Sequence, residues 1–100
     1  MELDDVDAFA AQLEGCRQRR IDGRVGWYVN GLLVVRPETD RTILIRLDPT
    51  QRESMLAAHP DTFGVPPAWE AHEKVQANLD GDADAIRTAI KMAWERQRRT

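Results

Sequence analysis

The stretch VGWYVNGLLVVR, residues 25–36, decides the fold. Two apolar segments flank Asn30-Gly31, a pair that tolerates the positive φ angles of a type I′ turn. The twist of such a turn matches the twist of the strands that it joins, so this stretch predicts a β-hairpin. The predicted cross-strand pairs are Val29 with Leu32, Tyr28 with Leu33, and Trp27 with Val34.

The residues after the hairpin predict one more strand and then a helix. Apolar and polar residues alternate over 42–47, which is typical of a strand that continues the meander. Asp48 is a good N-cap, Pro49 suits the first helical position, and Gln51 completes a capping box, so we predict a helix that ends near His59.

The next 20 residues contain the ambiguous part of the sequence, roughly from Pro60 onward. Prolines and a glycine over 60–67 predict an irregular link. Residues 72–79 contain helix-favouring residues, yet Val75, Ala77 and Leu79 alternate with polar residues as a strand would. We predict a strand there.

Both ends of the chain predict amphipathic helices. Residues 4–17 carry an apolar stripe, and Asp4 is the predicted N-cap of this helix. We interpret the basic stretch from Arg17 to Arg20 as the C-terminus of the helix and a solvated loop. Asp82 caps a final helix whose buried stripe is Ile86, Ala89, Ile90, Ala93 and Trp94. The predicted fold is therefore a single α+β domain over 1–100, with the order α-β-β-β-α-β-α and the helices packed on one face of an antiparallel sheet.

Strand phase divides the predicted sheet into a core face and an open face. The predicted core face holds Val25, Trp27, Val29, Leu32, Val34, Ile43, Ile45, Leu47, Val75, Ala77 and Leu79. The predicted open face holds Tyr28, Leu33, Val35, Leu44, Arg46, Lys74, Gln76 and Asn78. Apolar and aromatic groups beside cations and amides suit a binding surface.

Composition limits the class of protein. Hydrophobic residues make up 42% of the chain and charged residues 31%, which is ordinary for a globular domain. The acidic N-terminus is unlike a signal peptide and the single cysteine excludes an internal disulfide, so we expect a cytoplasmic protein with no membrane segment. The net charge of −3 offers no long-range attraction to phosphate, so nucleic-acid binding would need a local basic patch. Residues 16–24 supply such a candidate, with four arginines against one acid.

Motifs for catalysis or metal binding are incomplete. Asp80, Asp82 and Asp84 have calcium-loop spacing, but Ala85 and Lys91 stand where the loop needs Gly and Glu. Two histidines and one cysteine cannot form a structural zinc site, and no nucleophile elbow or phosphate loop is present. Cys16 lies on the apolar stripe and is predicted to be a buried small hydrophobe. We expect a protein without catalytic residues, cofactor or metal.

The order of elements resembles the MmcQ/YjbR-like family. The resemblance covers nearly the whole chain and is carried by Gly26-Trp27-Tyr28-Val29-Asn30-Gly31, Leu44-Ile45-Arg46-Leu47 and Ala93-Trp94. It implies a small bacterial protein with a frataxin-type (CyaY-like) α+β sandwich, an attribution of DNA binding, and no catalytic residues.

Three functional hypotheses follow, and in each we expect a monomer. The first is weak, salt-sensitive DNA binding through Arg17, Arg19, Arg20, Arg24, Arg46 and Lys74. The second is binding of a protein or small ligand on a face formed by Tyr28, Leu33, Val35, Gln76 and Asn78. The third is iron or another hard cation on the oxygens of Glu2, Asp4, Asp5, Asp7 and Glu14.

Overall fold

Three helices and a six-stranded antiparallel sheet form the protein in a computed structural model that describes residues 1–100. The helices are α1 (Leu3–Ala11), α2 (Pro49–Ala58) and α3 (Ala83–Arg98), with a 3-10 turn at Pro67–Trp69. The strands are β1 (Arg17–Ile21), β2 (Arg24–Val29), β3 (Leu32–Pro37), β4 (Thr42–Ile45), β5 (Phe63–Gly64) and β6 (Val75–Asn78). Their order across the sheet is β1-β2-β3-β4-β6-β5.

The caps of α2 and α3 confirm two predicted helix starts. Asp48 Oδ1 accepts a hydrogen bond from the Gln51 N–H at 2.7 Å, and the Asp48 N–H donates to Gln51 Oε1 at 3.2 Å. Asp82 Oδ1 accepts from the Ala85 N–H at 3.0 Å. These bonds satisfy N–H groups that have no partner within the first turn of a helix.

The first helix is shorter than predicted. It begins at Leu3, and its N-cap is Glu2 instead of the predicted Asp4. The Glu2 N–H donates a hydrogen bond to Asp5 Oδ2 at 2.7 Å. It ends at Ala11 instead of 17, and the chain then turns through Gly15 at a φ of 73°. The turn directs the following residues into the sheet.

One side of the sheet and all three helices form the hydrophobic core. The core residues from α1, α2 and α3 are Val6, Ala10, Met55, Ala85, Ile86, Ala89, Ile90, Ala93 and Trp94. They pack with the sheet residues Trp27, Val29, Val34, Val35, Ile43, Ile45, Phe63, Val75 and Ala77. No helix contributes to the other side, so the predicted α+β class with helices on one face is confirmed. The predicted order α-β-β-β-α-β-α was wrong because it lacks two of the six strands, β1 and β5.

A β-bulge at Val34 changes the predicted register of the hairpin. Val29 pairs with Leu32 and Tyr28 with Leu33, as predicted, but Trp27 pairs with Val35 because Val34 is an extra residue on β3. An extra residue reverses the alternation beyond it. Val35 therefore lies in the core with no exposure, and its predicted place on the open face was wrong.

The basic stretch after α1 is an edge strand, and its prediction as a loop was wrong. Strand β1 pairs with β2 from Arg17 opposite Tyr28 to Ile21 opposite Arg24. Asp22 and Gly23 have φ angles of 53° and 77°, the same positive pair as Asn30 and Gly31. Two tight hairpins of the same geometry thus follow each other.

The link before β6 is held by a buried arginine of α2. Arg52 is 9% exposed and donates hydrogen bonds to four carbonyl oxygens of the link. Strand β6, Val75–Asn78, lies inside the predicted range 72–79 and pairs with β4 and β5. None of the helices combines the length and apolar character needed to cross a membrane.

Candidate nucleic-acid interface

The helix-free side of the sheet, called the open face below, carries a mixture of cationic, apolar and amide groups. Its residues follow from the strand pairing, because each lies opposite a residue of the same face on the neighbouring strand. They are Arg17, Arg19, Ile21, Arg24, Gly26, Tyr28, Leu33, Arg36, Thr42, Leu44, Arg46, Gln76 and Asn78. Arg46 belongs to this face since Ile45 and Leu47 on either side of it are in the core.

The sheet is a basic part of an acidic protein. None of the 17 acidic residues lies in a strand, and all are in helices, turns or loops. The open face in contrast carries Arg17, Arg19, Arg24, Arg36 and Arg46, called the arginine cluster below. Although the net charge of the chain is −3, the charged side chains of the open face are all arginines.

Most of the arginine cluster has no acidic partner. Arg36 Nε lies 3.5 Å from Glu38 Oε1, whereas the other four guanidinium groups form no ion pair. Three arginines elsewhere do form ion pairs, namely Arg41, Arg87 and Arg96. Arg41 bridges Glu2 and Asp80, and the hydrogen bond to Asp80 raises the pKa of that guanidinium further above its usual range. Unpaired guanidinium groups keep their donors free for an anionic ligand.

Tyr28 is the only aromatic side chain of the open face. It lies partly exposed between Arg17 on β1 and Leu33 on β3, and the Arg19 guanidinium is 5.9 Å from its ring centroid. Gly26 leaves the space that this ring occupies, since a Cβ at residue 26 would lie 3.0 Å from Tyr28 Cε1. The absence of a side chain at 26 thus lets an aromatic ring lie beside the cations.

A shallow cavity of about 360 Å³ lies at the end of β2 and β3. It is lined by Arg24, Val25, Arg36, Pro37 and Glu38. Two of its five lining residues belong to the arginine cluster, and Glu38, the carboxylate that pairs with Arg36, lines it as well.

Leu44 occupies the middle of the open face and is nevertheless 1% exposed. Its direct neighbours across the strands are Arg36 and Gln76. Both have long aliphatic stems that can cover apolar surface while their polar ends stay in water. Leu44 therefore offers a partner little apolar area, and the accessible apolar part of the face is at Ile21, Tyr28 and Leu33.

The structure brings together only some of the residues predicted for nucleic-acid binding. Arg17, Arg19, Arg24 and Arg46 share the open face. Arg20 lies on the helix side of β1, opposite Val25, and donates to the Gly23 carbonyl at 3.1 Å. Lys74 precedes β6, with its Nζ 4.7 Å from the centroid of the Trp69 ring.

The residues predicted for ligand binding divide into two groups. Tyr28 and Leu33 are direct neighbours, whereas Val35 is in the core. Gln76 and Asn78 are on the open face but on β6, three strand positions from β2 and hence about 14 Å away. They do not form one compact site with Tyr28.

Arg36 belongs to the arginine cluster but was not predicted. In a regular hairpin Arg36 would lie on the same face as Val34, which is the predicted core face. The bulge at Val34 moves it to the open face, opposite Leu44. The run of four apolar residues, Leu32 to Val35, gives no alternation from which the bulge could be predicted.

The C-terminal arginines lie near the same end of the sheet as Arg17. Asn30 Nδ2 donates to the Arg98 carbonyl at 3.3 Å, and Gln97 Nε2 donates to the Leu33 carbonyl at 2.7 Å. These bonds hold the end of α3 against the turn between β2 and β3. The side chain of Arg98 lies over Trp94, 4.2 Å from its ring centroid.

Three of the five acidic residues proposed for iron have separate structural partners. Glu2 pairs with Arg41, Asp5 accepts from the Glu2 N–H, and Asp7 Oδ1 accepts from Trp27 Nε1 at 2.7 Å. No three His, Cys, Asp or Glu side chains converge on one point. The predicted oxygen-ligand cluster is therefore not assembled.

Cys16 is a core residue, as predicted. It is 7% exposed, and burial raises the pKa of its thiol to about 11. The protonated thiol is a poor nucleophile, so this residue supplies no reactive group.

Neither a protein-family model, nor a curated protein, nor a solved structure matches this chain. The interface is therefore defined by its geometry: an antiparallel sheet with helices on one side and unpaired arginines around a tyrosine on the other.

Proposed function

We propose that this chain is a small cytoplasmic binding module without catalytic activity that holds DNA by its phosphates on the open face. The observation that carries the proposal is the segregation of charge: the strands contain arginines and none of the 17 acidic residues. The resemblance to the MmcQ/YjbR-like family favours the same function and remains a prediction.

Phosphate contacts of this kind are independent of sequence and sensitive to salt. Each phosphate neutralised by an arginine releases counterions, so the logarithm of the binding constant falls linearly with the logarithm of the salt concentration. Guanidinium groups can bind phosphate oxygens with two parallel hydrogen bonds. An acidic protein with one basic face would bind weakly and mainly at low salt.

The test compares two double variants that remove the same charge from different sides of the sheet. Arg17→Gln with Arg19→Gln removes two cations from the open face. The control, Arg20→Gln with Arg87→Gln, removes one from the helix side of β1 and one from α3. Fluorescence anisotropy of a labelled oligonucleotide is measured at several salt concentrations for both variants.

We expect the first variant to lower the slope of the salt dependence by about 1.4 to 1.8, for two phosphate contacts. The control should keep the slope of the unmodified protein. Absence of saturable binding by the unmodified protein at low salt, or an equal loss in both variants, would rule out the open face as the DNA site.

Binding of a protein through Tyr28 and Leu33 is the second candidate, favoured by their partial exposure on a face that no helix covers. In that case Tyr28→Ala abolishes partner capture with unchanged stability, and the Arg17 and Arg19 variant has no effect on it. Because Val35 is buried, this apolar site is smaller than the sequence predicts.

A further inference from the structure

Tyr28 is placed where an aromatic ring and several cations can act on one ligand. Arg17 is its direct neighbour on β1, Arg19 is 5.9 Å from its ring centroid, and Arg24 lies on the same face of β2. Proteins that bind single-stranded nucleic acid combine a positive surface for the backbone with aromatic rings on which bases stack. The open face has both features within two adjacent strands.

We propose that the open face binds single-stranded DNA, with one base stacked on Tyr28 and the flanking phosphates held by the arginine cluster. This inference rests on the proposed function and specifies its ligand. The ring adds an attraction for bases that arginines alone lack, since every base has a π-face.

The geometry of the open face favours a single strand over a duplex. All three helices pack on the opposite side, so no helix is available there to enter a major groove. The β1–β2 hairpin could enter only tip first, and its tip carries the exposed carboxylate of Asp22, which phosphates repel. In a duplex the bases are already stacked on each other, and Tyr28 could not reach their faces.

The side chains around Tyr28 favour DNA over RNA. Leu33, directly opposite Tyr28, provides an apolar contact of the kind that suits a thymine methyl group. A thymidine strand is therefore the preferred probe.

The experiment uses the full chain and four probes of equal length in anisotropy or competition titrations at low salt. The duplex carries twice the charge of the three single strands, so affinities are compared per phosphate. They are a thymidine oligonucleotide of about 12 residues, its abasic phosphodiester analogue, the uridine RNA of equal length, and a duplex. Tyr28→Leu keeps an apolar side chain over Gly26 but removes the ring, and Tyr28→Phe keeps the ring. Thermal unfolding of both variants verifies that they are folded.

We expect the unmodified protein to bind the thymidine strand about 10- to 100-fold more tightly than the abasic strand, as loss of one stacked base predicts. Tyr28→Leu should lose that preference and Tyr28→Phe should retain it. Equal affinity of the unmodified protein for the thymidine and abasic strands would overturn the inference that a base stacks on Tyr28. If all probes still bind through their phosphates, the proposed function stands. Tighter binding of the duplex or the RNA contradicts the choice of ligand, and no binding of any probe rejects both proposals.

Discussion

Trp27 Nε1 donates a hydrogen bond of 2.7 Å to Asp7 Oδ1, which joins the second strand of the sheet to α1. Trp27 is 3% exposed, and the N–H of a buried indole needs a hydrogen-bond partner of this kind. Asp7 also accepts from Gln18 Nε2 at 3.3 Å, on β1. One carboxylate thus links the first helix to both strands that carry most of the arginine cluster.

Asp7→Ala should lower the free energy of unfolding by about 1–3 kcal/mol, because it leaves a buried indole N–H unsatisfied. Urea unfolding measures the change. Asp40→Ala, at an exposed loop position with no side-chain hydrogen bond, is the control and should remain within about 0.5 kcal/mol of the unmodified protein. Equal stability of the two variants would show that the Trp27 contact does not stabilise the fold.

Gly81 allows the turn before α3 to approach the residue preceding β5. A Cβ at residue 81 would lie 2.5 Å from Thr62 Oγ1 and 3.0 Å from Thr62 Cα, and Thr62 Oγ1 also accepts from the Asp82 N–H. Gly81→Ala should therefore destabilise the protein by about 1–3 kcal/mol. In Gly64→Ala a Cβ meets no atom within 4 Å, and its melting temperature should hardly change. A larger loss at Gly64 than at Gly81 would contradict this packing.

Arg52 donates hydrogen bonds to four carbonyl oxygens of the link between β5 and β6. Its shortest bond, at 2.7 Å, is donated to His72. Arg52→Met keeps much of the apolar stem but leaves these carbonyls without their donor, so we expect a loss of about 2–4 kcal/mol and faster proteolysis between residues 66 and 74. Glu53→Gln, at the exposed neighbouring position, should change neither quantity. Unchanged cleavage in Arg52→Met would show that the link is held by other contacts.

Burial of Cys16 makes stability depend on pH in the alkaline range. The thiol pKa is raised from 9.0 to about 11 by burial. Below pH 9 both the folded and the unfolded chain hold the proton, so the contribution is fully present. Between pH 9 and about 11 the unfolded chain loses the proton first, and stability falls as pH rises.

Comparison with Cys16→Ala isolates this effect. The difference between the two unfolding curves should change by on the order of 2 kcal/mol across that pH window, since each unit of pKa shift corresponds to about 1.4 kcal/mol. Other titrating groups are common to both proteins and cancel. Parallel pH profiles would mean that the folded thiol ionises as readily as the unfolded one.

One hairpin turn and two helix caps were predictable because their signals are local. Asn30-Gly31, Asp48-Pro49 and Asp82 each specify a geometry within a few residues, and the structure has all three. The open face was predictable in part, because Tyr28 and Leu33 lie next to the turn and keep its register.

The bulge and the edge strand were not predicted, for two different physical reasons. Val34 lies in a run of apolar residues, where either face is compatible with burial until tertiary packing selects one. In β1 every residue is exposed, so no apolar alternation marks the strand. Asp22-Gly23 was the available signal, since it adopts the same positive φ pair as Asn30-Gly31. That signal would have placed Arg17 and Arg19 on one face and Arg20 on the other.

Backbone amide shift mapping tests the central claim most directly, because it shows which face meets the ligand. The ¹⁵N-labelled protein is titrated with the thymidine oligonucleotide at low salt. We predict that the amides of Arg17, Arg19, Gly26, Tyr28 and Leu33 shift progressively and saturate together, while those of α2 do not move. Saturating shifts confined to Arg98, Arg99 and the rest of the helix side, or no shifts at any concentration, would contradict DNA binding by the open face.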